Sequence, residues 1–369
     1  MSIQSESRFD KRMRVNGESG LSRPHVSAEA ARIRPGEMLR AVSRTFALSI
    51  ERLPSELRDM VSTAYLLFRV SDCLEDNEFL GADHKAELLR IWARVLSDSM
   101  PVSSLTGEII HLDRGDPEVY VAQHADELLE CLHRFPQPIQ EIIKSHVNQT
   151  SLGMARWQEN GPDVRNEEEM DDYMHQVAGR VGYLLTDLFA WYSPVIRERK
   201  EKLLPLARHF GLALQTVNII RGLRKDYERG WVYVPRTFYE PLGLTRDSLF
   251  AEENASQVLR IIERLADKAD THLQYGLDYI MDLPKWLHGI RLACMWPLLF
   301  AVRTIAVSRN NLDVVMHEAK ITRSEVKRII RDTTLFGWSN SWLKNYYSRL
   351  SRLTQGTVGI PSGDEVRAA

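Results

Sequence analysis

Cysteine is scarce in this 369-residue chain. Cys73, Cys131 and Cys294 form no metal-ligand spacing, and their scatter points to a reducing compartment. A surplus of either charge is also missing. The 48 Lys and Arg stand against 50 Asp and Glu, so nothing marks a nucleic-acid-binding surface. No glycine-rich dinucleotide fingerprint follows a strand. No Pro/Gly/Ser-rich linker divides the chain, which favours one large domain over the two that its length would allow. The most apolar stretch, 292–307, is interrupted by Arg303 and falls short of the roughly 20 residues a bilayer crossing needs, so no membrane span is expected. Residues 1–34 are polar and of mixed charge, without the apolar segment of a signal peptide. That arm and the tail 354–369 are expected to be disordered, flanking a domain at 35–353.

Strand patterns are equally sparse, and helical periodicity fills the space. Apolar residues recur at intervals of three and four in 56–72, 84–97, 125–135, 139–154, 168–191, 197–229, 255–280, 288–309 and 324–333. Segment 102–112 reads as a strand, a loop or a short helix. The expected fold is all-α, a single helical bundle with its active-site residues facing a central cavity.

Within that pattern two helix patches carry the chemistry. Asp72, Glu75 and Asp76 lie on one face, because residues four apart are separated by 400°. Tyr65 and Arg69 extend the stripe backward, with apolar residues on either side. A solvated acidic surface would give the same spacing. If the face is sheltered, the carboxylates need raised pKa values or a cation. Magnesium suits them, since it is held by one or two carboxylates together with substrate phosphates. Cys73 points about 100° away and is expected to pack. The second patch, 218–226, holds Asn218, Arg221, Gly222, Lys225 and Asp226. Gln215 and Asn218 share a face with Asp226 and could order water or metal ligands. Gly179 and Gly182 each cost a helix about 1 kcal/mol relative to Ala, so a neighbouring helix or a ligand passes close to them.

Taken in order, Ser43-Arg-Thr-Phe46, Asp72-Cys-Leu-Glu-Asp76, Tyr173 through Gly182, Leu214 through Arg221 and Arg229-Gly-Trp-Val-Tyr-Val-Pro235 resemble the squalene/phytoene synthase family of head-to-head prenyl transferases. The resemblance spans about residues 35–331. Cys294-Met-Trp-Pro297 and Lys320-Ile-Thr-Arg323 lean toward the squalene synthase branch. It implies an isoprenoid-synthase bundle that takes prenyl diphosphates with Mg²⁺ and leaves NADPH open as a second cofactor. By the same resemblance Asp72, Glu75, Asp76 and Asp226 would serve the metal. Ser43, Arg44, Arg69 and Arg221 would cradle diphosphate, and Gly179, Gly182, Gln215 and Asn218 would meet substrate. Tyr65 and Tyr173 would stand near the reacting carbons, Tyr173 as the candidate base, and Arg69 would be catalytic through the diphosphate it holds. His175 is expected to be structural. The eukaryotic members carry a C-terminal anchor. Its lack here sets the expectation of a soluble bacterial type, cytoplasmic and touching the membrane surface at most peripherally, for product release.

Departures from the family pattern gather on the second patch. Gly222 stands where an Asp is usual, Lys225 where Glu is frequent, Trp231 where Arg is common, and Leu298 where Gln follows the proline. The face is more positive by about three charges than the pattern it resembles, and Lys225, Arg221 or Arg224 could meet diphosphate in place of a metal. Arg224 projects about 160° away from Asp226 on the helical wheel, which makes Lys225 the better candidate. The first expectation is condensation of two farnesyl diphosphates to presqualene diphosphate and squalene. A one-substrate terpene synthase or diphosphate lyase is the second. A non-catalytic lipid-binding or assembly protein is the third.

Overall fold

The computed structural model describes residues 35–311, 313–316 and 320–352. The expectations for the arm 1–34 and the tail 354–369 lie outside the described residues. The chain runs through α1 (Pro35–Val42), α2 (Arg44–Ile50), α3 (Ser55–Asp76), α4 (Ala82–Leu96), α5 (Ser103–Glu108) and α6 (Pro117–Gln123). It continues through α7 (Ala125–Leu132), α8 (Gln137–Asn160), α9 (Glu167–Met174), α10 (Arg180–Tyr192), α11 (Pro194–Glu198) and α12 (Lys200–Glu228). The last third holds α13 (Arg236–Tyr239), α14 (Ala255–Asp282), α15 (His288–Ser308), α16 (Asp313–Met316), α17 (Arg323–Phe336) and α18 (Asn340–Arg352). No strand forms among the described residues, where a lone bridge joins Asp163 to Val232.

Several boundaries differ from the periodicity for identifiable reasons. The run expected at 168–191 is broken by one π turn, His175–Gly179, between α9 and α10. Such a turn inserts an extra residue and re-aims the side chains on either side of it. Segment 102–112 contains the short helix α5. The run expected at 197–229 begins only at Lys200, after the single-turn α11. α18 was not anticipated. Its apolar positions, Leu343, Tyr346, Tyr347 and Leu350, keep helical spacing and are buried.

α12 and α14 lie along one another, α4 packs on α8, and α3 crosses α8 while touching α6 and α7. One continuous hydrophobic cluster links them. α15 corrects the expectation from 292–307. At 21 residues it is long and apolar enough to cross a membrane by length and composition, yet 83% of its apolar window is buried inside the protein. It is a core helix whose two arginines are bound locally, Arg303 by a carboxylate and Arg291 by uncharged oxygens. Arg303 donates to Glu325 at 2.6 Å. Arg291, fully buried, donates to the carbonyls of Ile280 and Leu283 at 2.6 and 3.0 Å and to Asn340 at 2.7 Å. Burial lowers its pKa to about 10.

Candidate active site

α2, α3, α10, α12, α14 and α15 enclose a cavity of about 420 Å³. One end is acidic and the rest is apolar. Tyr65, Arg69, Asp72 and Asp76 all line it, as the helical wheel of α3 requires, and Glu75 joins them. Across from these, α12 contributes Gln215, Asn218, Gly222 and Asp226. Asn218 donates to Gln215 at 3.3 Å.

The acids of α3 are held under electrostatic stress. Burial raises the Asp72 carboxyl to about 6, against the pull of Arg69, which donates to it at 2.8 Å. Arg69 also donates to Glu118 on α6, so its guanidinium is fixed between two helices. Glu75 is buried, and its Oε1 has no hydrogen-bond partner. Burial, followed by the nearby Asp76 and Asp72, pushes its pKa well above the usual carboxylate range.

Arg229 joins the two patches. It donates to Asp226 at 2.5 Å and to Asp76 at 3.2 Å, spanning from the end of α12 to the end of α3. Burial also raises the Asp226 carboxyl, more than Arg229 lowers it. Sequence reasoning missed this arginine, although it sits three residues after Asp226 and therefore on the same helix face. The expected substitute, Lys225, is exposed and outside the cavity wall, and Arg224 turns to Glu228 at 2.8 Å. Arg221 is half-buried and also absent from the wall. Gly222 does face the cavity. A Cβ there would lie 3.1 Å from Asp226 Oδ2, so the lost acid of the family pattern would have stood beside the remaining one.

Gly230, at φ +80°, turns the chain back at the end of α12, a conformation that a side chain would strain. Trp231 N–H then donates to the Asp226 carbonyl at 2.8 Å, and Tyr233 enters the cavity wall. Tyr233 stacks on Tyr173 with ring centroids 4.5 Å apart, and Trp231 stacks on Tyr233 at 5.5 Å. Burial, and then the charge of Glu75, push both phenols well above their ordinary range. Tyr65 lies beside Phe46 at 5.6 Å. Ser43 caps α2 by accepting from Phe46 N–H at 3.3 Å, and it does not line the cavity. Arg44 opens α2, and its side chain lies outside what is described.

The glycines serve helix packing first. A Cβ on Gly182 would meet the Ala207 carbonyl oxygen at 2.3 Å, and one on Gly179 would meet His175 at 2.5 Å. Gly211 of α12 is equally close to the Ala178 carbonyl, at 2.5 Å, so α10 and α12 cross nearly backbone to backbone. Gly182 also lines the cavity, whereas Gly179 does not. Beyond this crossing the wall is apolar, from Leu53, Phe189 and Phe210 to Tyr279, Cys294 and Pro297. Pro297 lacks an N–H, which leaves the Ala293 carbonyl without its helical donor.

Among the described residues, no group of three or more His, Cys, Asp or Glu forms a ready metal cage. The donors nevertheless suit a hard ion that keeps water and borrows phosphate oxygens. Asp72 and Asp76 share a face, the orphaned Glu75 oxygen lies beside them, and a guanidinium already bridges Asp76 and Asp226.

Comparison with known proteins places this architecture among its relatives. The profile of the squalene/phytoene synthases matches residues 39–325. A squalene synthase of Arabidopsis thaliana is 27% identical over 301 residues, 80% of this chain and 70% of its own length. That of Schizosaccharomyces pombe is 27% identical over 299 residues, 80% of this chain and 63% of its own. The solved ligand complex of TcSQS superposes with a TM-score of 0.73 at 25% identity, covering 88% of this chain and 92% of that one.

Proposed function

We propose that this chain, which belongs to the squalene/phytoene synthase family, is a prenyltransferase that joins two prenyl diphosphates head to head. The finer reading is a magnesium-dependent condensation of two farnesyl diphosphates to presqualene diphosphate and on to squalene. A single observation carries it: two helices bring acids to one end of a cavity whose remainder is apolar and closed by aromatic rings. That division matches an amphiphile with a polyanionic head and a hydrocarbon tail.

Each part of the wall has a task in such a reaction. The C–O bond of an allylic diphosphate breaks to give a carbocation and inorganic diphosphate. Asp72 and Asp76 on α3 and Asp226 on α12 would hold magnesium, which when bound with the phosphates offsets the charge gathering on the leaving group. Arg69, anchored by Asp72 and Glu118, presents a fixed guanidinium at the same end. Arg229 must exchange its carboxylates for the incoming head group, and its Nε, buried without a partner, is one donor available for that.

The cation must then be kept from water. Leu184, Leu185, Phe189, Phe210 and Leu214 line the way with groups that offer it no nucleophile. Tyr173 and Tyr233, stacked on one another, close this part of the wall with aromatic surface. Because burial keeps the Tyr173 phenol protonated, its role at the proton-loss step is that of a neutral hydroxyl. It gives up its own proton, to diphosphate, as it takes one from carbon.

The test is incubation of purified protein with Mg²⁺ and geranyl, farnesyl or geranylgeranyl diphosphate, with and without NADPH, and identification of products by mass spectrometry. A C30 product from farnesyl diphosphate is expected. A cyclised or hydrolysed C15 product would replace the condensation with one-substrate chemistry, and unchanged substrate in every mixture would overturn both.

A further inference from the structure

At the apolar end of the cavity the surface changes character. Trp286, Leu335, Phe336 and Trp338 are 69%, 58%, 49% and 57% exposed, large apolar side chains that a folded surface ordinarily covers. They lie on the loop before α15 and on the end of α17 with the turn that follows it, tied into one ridge. The His288 ring is 3.2 Å from the Thr334 carbonyl, Asn340 donates to the Met281 carbonyl at 3.0 Å, and Arg291 donates to the Gly337 carbonyl at 3.3 Å. The ridge is therefore fixed in place. It also adjoins the cavity through the chain itself. Ala293 and Cys294, in the cavity wall, stand one to two turns along α15 from the Trp286 loop, and a Cβ on Gly289 would touch the Arg52 carbonyl beside Leu53 of the same wall.

The helices behind the ridge are basic. Residues 323–352 contain seven Lys and Arg against two acids, in a chain whose formal net charge is −2. Both acids are already engaged, Glu325 with Arg303 and Asp332 with Arg331. Lys327 and Lys344 are exposed on α17 and α18, and Lys285 precedes Trp286. The family match ends at residue 325, so nearly all of this hairpin lies beyond the segment that defines the family.

We propose that the α17–α18 hairpin and the Trp286 loop form a docking face for an anionic lipid bilayer. Two exposed tryptophans, one of them next to Lys285, match the level where acyl chains give way to headgroups, and the net positive charge of α17 and α18 answers the negative surface of such a bilayer. Docking would turn the apolar end of the cavity toward the membrane, where a hydrocarbon product belongs. The face is independent of which prenyl chain the cavity takes.

The test uses the full-length protein and sedimentation with vesicles of phosphatidylcholine alone or of phosphatidylcholine mixed with phosphatidylglycerol, whose negative surface should attract the basic hairpin. The protein is expected to pellet with the anionic vesicles, less so with neutral ones, and to be released as salt rises. Trp286→Ser/Trp338→Ser and Lys327→Glu/Lys344→Glu should each lower the bound fraction by about tenfold or more while leaving the melting temperature unchanged. Tryptophan emission of the unaltered protein should also be quenched by brominated lipid, a reading that stands even if a variant folds poorly. Wild-type protein left in the supernatant of both vesicle types would overturn the proposal. So would variants that bind as well as wild type, or a dimer in sedimentation velocity that the double serine variant dissolves, which would make the ridge a contact between copies.

Discussion

Asp72→Asn should make the metal-free protein more stable while removing its activity. Burial lifts the Asp72 carboxyl from an ordinary 3.8 to about 6 in the folded state, even with Arg69 donating to it at 2.8 Å. A carboxyl whose pKa is higher folded than unfolded binds its proton more tightly when folded. Its destabilising effect is absent below about pH 4, grows as pH rises toward 6, and is complete above that. A gap of roughly two pH units corresponds to about 3 kcal/mol at neutral pH, an upper value because the side chain retains some contact with solvent. The isosteric amide carries no charge and keeps an oxygen for Arg69, so about 1–3 kcal/mol should return. With an unfolding entropy of about 2 cal/mol/K per residue over roughly 300 ordered residues, that is a rise in Tm of about 2–5 °C. The assay is thermal unfolding with chelator at pH 7.5 and again at pH 4.5. The two proteins should differ at the first pH and converge at the second, whereas Mg²⁺ at pH 7.5 should raise the Tm of wild type more than that of the variant. An Asp72→Asn protein that melts below wild type at pH 7.5 would refute the premise that this acid is held against its preference for a cation.

Arg229→Gln should do the reverse, because it leaves Asp226 and Asp76 facing one another. For a pair only partly sheltered from water, a loss of about 1–3 kcal/mol is expected in chelator, and added Mg²⁺ should recover more of it than it adds to wild type; equal Mg²⁺ shifts would sink the bridging role. Gly222→Asp places a second carboxylate beside Asp226, so Mg²⁺ affinity measured by calorimetry should rise several-fold, and an unchanged affinity would mean that position 222 does not face the ion. Gly182→Ala drives a Cβ against the Ala207 carbonyl, and a loss of about 1–3 kcal/mol in denaturant unfolding is expected; a neutral result would show that α10 can move away from α12 at little cost. Asp76→Asn should abolish turnover with little change in Tm, and full activity would remove metal-assisted ionisation from the mechanism.

Sequence by itself determined the helical class and the face of each patch. Helical periodicity needs only local spacing, and the 100° advance per residue places Tyr65, Arg69, Asp72 and Asp76 in one line and Gln215, Asn218, Gly222 and Asp226 in another, all of which line the cavity. Short-range spacing also marked the glycines as points of close approach. It could not say whether a helix or a ligand approached; the Ala207 carbonyl against Gly182 and the Leu212 side chain against Gly179, both from α12, answer for the helix. Tertiary structure alone decided which charges meet. Arg229 reaches Asp76 across 153 positions of chain, Glu118 takes the second half of Arg69 from a helix with no motif of its own, and Lys225, the better candidate on the wheel, points to solvent. The orphaned Glu75 oxygen and the exposed aromatic ridge belong to the same class of fact. A helix period fixes direction around one axis, whereas burial and pairing depend on where a second axis crosses it, and that is settled by packing over the whole core.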